Sequence, residues 1–145
     1  MTRLIPVPLA AVPTAWAHVS AWVAAALCRG NADHAAPDVR EHLDRGTMQL
    51  WLIWDGPRPV GCVVTELIES ARRRACNLVI VAGERFPEWA HVEADIARWA
   101  RSQGCGRLTL TGRKGWVRRL AGAWTETAVT LERQIDGQQQ PEDQD

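Results

Sequence analysis

Glu66 is the side chain whose type and spacing best suit it to take a proton in this chain of 145 residues. In an extended segment it falls on one face with Cys62, Val64 and Ile68, because side chains two apart point the same way. A carboxylate set into an apolar face is a candidate general base. Two other arrangements stay open: that face is the solvated one, or Glu66 pairs with a basic residue of the neighbouring strand. Asn77, alternating with Val79, can orient a water or satisfy buried backbone. Cys62, Cys76 and Cys105 are nucleophiles by type. No histidine adjoins them in sequence, and their apolar surroundings predict inert, packed thiols. His91 and Asp95 stand four apart on the polar side of a helical pattern and predict a solvated pair rather than a dyad.

The join from Val79 to Trp89 has the form strand, turn, helix, with a single glycine, Gly83, in the turn. Such a join can cradle phosphates, because unpaired backbone N–H groups and the helix dipole converge at a helix start. Pro87 brings no N–H, and Glu84 and Glu88 place carboxylates where an anion would sit. Two basic clusters suit a phosphate or an acidic protein face: Arg72-Arg73-Arg74 at a strand entrance, and Arg113-Lys114 with Arg118-Arg119 around Trp116. A solvated charged rim is the alternative, since the total charge is modest.

Composition narrows the classes. The chain has 17 basic and 17 acidic residues, and the four acids of residues 136–145 leave residues 1–135 with a net charge of +4. That is too little for a nucleic-acid surface, and no nucleic-acid motif is present. Scattered histidines and cysteines without close pairs predict no metal site, and the four cysteines read as reduced, buried thiols of a cytosolic protein. The longest apolar run, Ala21–Cys28, has eight residues, against roughly 20 for a membrane span. Prolines 6, 8 and 13 break the N-terminal region as a leader. There are eight tryptophans and no tyrosine, which removes one common catalytic acid.

The elements that must position these groups follow from periodicity. Trp16, Val19, Val23, Ala26 and Leu27 predict a helix over 13–29, and a second helix runs from Ala36 to Arg45. Met48–Trp54 and Val60–Ile68 flank Asp55-Gly56-Pro57-Arg58-Pro59 and predict a hairpin. Arg72–Val81 predicts a third long strand, residues 87–103 a helix, and Leu108–Thr111 a short strand. A short helix at Gly115–Gly122 and a final strand at Trp124–Arg133, alternating Thr125, Thr127, Val129 and Leu131, complete the order. One βαβ unit spans 75–111, so the class is α/β in the broad sense (α+β), a mixed central sheet flanked by helices. A single domain over 1–135 and a disordered, acidic, Gln-rich tail over 136–145 are expected.

On the element order over residues 11–134, the phrase Leu50–Cys62 (LWLIWDGPRPVGC) and the run Gly104–Leu120, the chain resembles the GNAT superfamily of N-acetyltransferases, in a divergent subgroup common in bacteriophage genomes. The resemblance implies acetyl-CoA as cofactor and an amine as acceptor. It implies a pantetheine arm along Leu78–Val81, with Val79, Val81, Gly83 and Arg85 as the cofactor-binding positions; for that transfer Glu66 is the candidate base by its place on the strand face. Where the family has an Asn and a Tyr, this chain has Arg113 and Leu120. Two readings therefore stand side by side. One is an acyltransferase. The other is a non-catalytic protein on the same framework, a phage virion or morphogenesis component contacting other proteins, or a second copy of itself, through Arg72, Arg73, Arg74, Arg113, Lys114, Trp116, Arg118 and Arg119. The corresponding locations are a bacterial host's cytoplasm or a virion, with no membrane partner.

Overall fold

The computed structural model describes residues 2–30, 34–84, 89–111, 120 and 124–135. Residues Met1–Arg113 form one compact unit and Lys114–Asp145 a second. The first holds β1 (Thr2–Pro6), α1 (Val12–Gly30), α2 (Ala36–Arg45), β2 (Gln49–Asp55), β3 (Arg58–Ile68), β4 (Arg74–Gly83), α3 (Trp89–Ser102) and β5 (Cys105–Leu110). The five strands make one sheet in the order β1-β2-β3-β4-β5. Neighbours are antiparallel except β4 and β5, which run parallel across the α3 connection.

Both faces of the sheet are covered, as the side-chain periods require. On one face the α1 stripe of Val12, Ala15, Val19, Val23 and Leu27 joins Val39 and Leu43 of α2 over Leu50, Leu52, Cys62, Val64, Ile80 and Ala82. Each fully buried aliphatic side chain here contributes about 1.5–3 kcal/mol. The alternate residues of β2 point to the other face, where Trp51 meets Trp99 of α3 edge-on with ring centroids 5.0 Å apart. Trp51 also donates its indole N–H to the buried Thr65 hydroxyl at 3.1 Å, and Thr65 donates to Gln49 Oε1 at 2.8 Å. Helix ends carry local signals. The Asp38 carboxylate accepts the Ala35 N–H at 2.9 Å to start α2, and Gly46 ends it in the left-handed region.

Several expectations change. β1 is a strand that periodicity does not predict, and Pro6 closes it at the sheet edge, where a missing N–H disrupts no ladder. α1 is long and apolar enough to cross a membrane by length and composition, a property invisible in its longest unbroken apolar run. Its buried stripe makes it a core helix in this fold. Cys28 is exposed, not buried, because it follows Leu27 off the stripe. Trp124–Arg133 forms no strand: the alternation is present, but no ladder runs along it, and Val129 and Leu131 are 70% and 89% exposed. Except for Leu120, the expected helix at Gly115–Gly122 lies outside the described residues, as does the expected disordered tail.

Candidate functional site

β4 and β5 part company halfway along β4. Their ladder runs from Arg74↔Cys105 to Leu78↔Leu110 and stops, while β4 continues against β3 to Gly83. A bulge marks the same point. Val64 pairs with Ile80 and Thr65 with Leu78, so Val79 is an extra residue that bends β4 away. From Val79 to Gly83 the backbone groups on the β5 side have no ladder partner among the described residues. The result is a fork in the sheet with unpaired peptide groups along one prong.

At the foot of the fork a polar chain crosses three strands. Glu66, Asn77 and Thr109 are direct cross-strand neighbours. The Thr109 hydroxyl donates to Asn77 Oδ1 at 2.8 Å, and Asn77 Nδ2 donates to Glu66 Oε1 at 3.3 Å. The hydroxyl thereby fixes which way the amide points. Glu66 shares its face with the fully buried Cys62 and Val64, while Ile68 beyond it is exposed, so the half-buried carboxylate sits at the rim of the apolar face. Its partner is a neutral amide, not a basic residue of the next strand. Glu66 Oε2 accepts no hydrogen bond among the described residues.

The corner at the end of β4 is tightly built. Gly83 has φ +146° and lies against Gly61, and a Cβ there would stand 2.4 Å from both Gly61 Cα and the Val60 carbonyl oxygen. The next amide, Glu84 N–H, donates to that Val60 oxygen at 2.8 Å. Glu84 is not the bare negative charge expected from sequence: Arg58, the first residue of β3, grips its carboxylate with two hydrogen bonds of 2.8 and 3.0 Å. The hydrogen bond and then the charge of Glu84 raise the Arg58 pKa. Arg85, Pro87 and Glu88 lie outside the described residues.

The remaining candidates fall elsewhere. Burial pushes the thiols of Cys62 and Cys76 up to about 12 and raises that of Cys105, so none is a thiolate at neutral pH. His91 and Asp95 form the solvated pair at 3.5 Å, with Arg98 on the same carboxylate at 2.9 Å. Arg74 is held inside its own unit, paired with Glu69 and donating to the Gln103 carbonyl at 2.7 Å. Arg72 and Arg73 are exposed. Arg113, Lys114, Trp116, Arg118 and Arg119 lie outside the described residues, and Leu120 is buried. Among the described residues no three His, Cys, Asp or Glu side chains gather as a metal site. Thr109 and Arg58 were missed from sequence. Each acts across strands, so only the register brings it to its partner.

This arrangement of sheet, fork and helices is the GNAT acetyltransferase fold, seen also in a GNAT family acetyltransferase of Staphylococcus aureus with TM-score 0.57, 10% identity and coverage of 92% of this chain and 98% of that one. An aminoglycoside acetyltransferase, meta-AAC0020, from an uncultured soil metagenomic sample, solved in complex with sisomicin, is similar with TM-score 0.67 and 9% identity, covering 93% of this chain and 97% of that one. A predicted acetyltransferase from Clostridium acetobutylicum, solved with acetyl-CoA, is similar with TM-score 0.61 and 9% identity, covering 91% and 96%. No protein-family model matches the sequence. No curated protein matches it either. At such identities the likeness is one of fold.

Proposed function

We propose that the chain binds acetyl-CoA in the fork between β4 and β5 and transfers the acetyl group to an amine, with Glu66 as the base. The observation that carries this reading is the fork itself, with a carboxylate held at its foot. The unpaired peptide groups from Val79 to Gly83 fit the group: an extended arm bearing amides can pair with an open strand edge as another strand would. Val79, Val81 and Gly83 would hold it through their backbone. The bound thioester supplies an activated acetyl carbon. An acceptor amine arrives protonated, and Glu66 Oε2 takes its proton while the Asn77 amide steadies Oε1. Thr109 holds that amide in place. The chain has no tyrosine and Leu120 has no proton to give, so solvent would supply the proton that the departing thiolate needs.

The Glu84 corner favours a second reading, a non-catalytic protein on the same framework. Its first amide is committed to Val60 and its carboxylate to Arg58. In that case the exposed Arg72 and Arg73 offer a cationic edge to a protein partner.

Calorimetric titration with acetyl-CoA separates the two. Micromolar binding supports the enzyme, and no heat up to millimolar supports the framework protein. If binding is seen, thiol release with a panel of amines is measured for the wild type and for Glu66→Gln. A loss of about 100-fold or more in turnover, with acetyl-CoA affinity unchanged, is expected of a lost base. Unchanged turnover removes Glu66 from that role.

A further inference from the structure

We propose that the acceptor is a free α-amino acid, a substrate class that rests on the acetyl-transfer reading: Glu66 holds its ammonium and Arg107 its carboxylate. Arg107 Nε is buried without a hydrogen-bond partner. An unpaired buried donor on a permanent cation is costly, and the planar fork of a guanidinium is matched best by a carboxylate. No acid of the chain fills that role among the described residues. Glu69 is paired with Arg74, and Glu66 is bonded to the neutral Asn77 amide.

Register brings Arg107 to the site. Ala75 stands opposite Arg107 and Ile68 opposite Ala75, as Asn77 stands opposite Thr109 and Glu66 opposite Asn77. The two rows are neighbours on one face of the sheet, because residues two apart along a strand point the same way. Arg107 thus lies one row beyond the polar chain, on the side away from the open prongs of the fork. Two strand spacings and one row set the Glu66 and Arg107 backbones about 12 Å apart. No ion pair joins their side chains among the described residues. Glu66, Asn77, Thr109 and Arg107 are all half-buried, and Ile68 beside them is 39% exposed, so solvent reaches this part of the face.

A carboxylate and a guanidinium that share a face, stand apart and have no counter-charges are the complement of a small zwitterion. An acetyl-bearing arm along Val79 to Gly83 fills the prongs, so the acceptor approaches Glu66 from the Arg107 side. An amino acid satisfies both groups at once. A protein N-terminus or a lysine brings an ammonium alone and leaves Arg107 unpaired. A polyamine sets a second positive charge against Arg107, which works against it as a substrate.

The test is calorimetric titration of the full chain, with and without acetyl-CoA, using the standard L-amino acids as probes, each beside its α-carboxamide. At least one amino acid should bind, and its carboxamide should bind about 10- to 100-fold more weakly. Arg107→Gln should weaken the acid by the same factor and leave the carboxamide unchanged. Its urea unfolding should match the wild type, since the side chain has no partner to lose. The comparison of acid with carboxamide on the wild type needs no variant. Three results overturn the proposal: no amino acid binds up to millimolar in either condition; acid and carboxamide bind alike; or Arg107→Gln weakens both alike. Carboxylate-dependent binding by a chain that ignores acetyl-CoA keeps the zwitterion site and removes acetyl transfer. Turnover of amines regardless of a carboxylate keeps acetyl transfer and overturns the amino-acid acceptor.

Discussion

Replacing Gly83 with alanine tests the corner on which the fork is built. The new Cβ would stand 2.4 Å from Gly61 Cα and from the Val60 oxygen, about 1 Å inside ordinary contact, and both obstacles are backbone that cannot rotate away. Forcing two paired strands apart costs about 1–3 kcal/mol. The φ of +146° adds a strain of order 1–3 kcal/mol for a residue with a side chain. The sum, about 2–6 kcal/mol, is a large share of the roughly 5–15 kcal/mol available to a domain. Gly56→Ala is the control: its φ of +63° is also positive, but nothing lies within 4 Å, so only a backbone term of about 1–2 kcal/mol applies. Urea unfolding at constant slope gives both values. Equal losses for the two variants would refute the close approach of β3 and β4 at Gly61. They would also refute the claim that the Glu84 amide is held there by Val60.

Thr65→Val strands the buried Trp51 indole N–H without an acceptor and should cost about 1–3 kcal/mol by urea unfolding, whereas Thr65→Ser should cost less. Cys62 and Cys76 keep their protons to about pH 12 in the fold, against 9.0 for an unperturbed thiol. The folded chain thus binds more protons between those limits. Stability is intact below pH 9 and falls as pH rises toward 12, by up to about 1.4 kcal/mol per pH unit per thiol. The double variant Cys62→Ala/Cys76→Ala should flatten that slope, measured by unfolding at pH 8 and pH 10.5. In the native chain only Cys28 should react readily with a thiol reagent at pH 8. Thr109→Val frees the Asn77 amide to turn and should lower turnover about tenfold with KM unchanged, and Thr109→Ser should restore it.

Much of the frame was legible because single-strand and single-helix periods carry it. The α1 stripe, Ala36–Arg45 as a helix and the Asp55-Gly56 turn all follow from local pattern. Glu66 was legible as a carboxylate on an apolar face for the same reason. What pairing decides was not legible. Nothing in Val79 announces a bulge, since it appears only when Ile80 and Leu78 are set against Val64 and Thr65. Thr109 looks like any strand threonine until Asn77 stands beside it. Arg58 reads as a turn residue, and its grip on Glu84 spans 26 positions of sequence. Conversely, the alternation at 124–133 predicted a strand where no ladder exists, because period supplies a face and not a partner.

β1 is tied to β2 across a long stretch of chain that contains α1 and α2, with Leu4 opposite Ile53. During synthesis at ~5–20 residues per second, β1 and α1 leave the ribosome several seconds before β2 can cover them. In that interval an apolar helix of membrane-compatible length has no sheet to lie on. Slowing synthesis before β2 lengthens the exposure of the apolar α1 stripe.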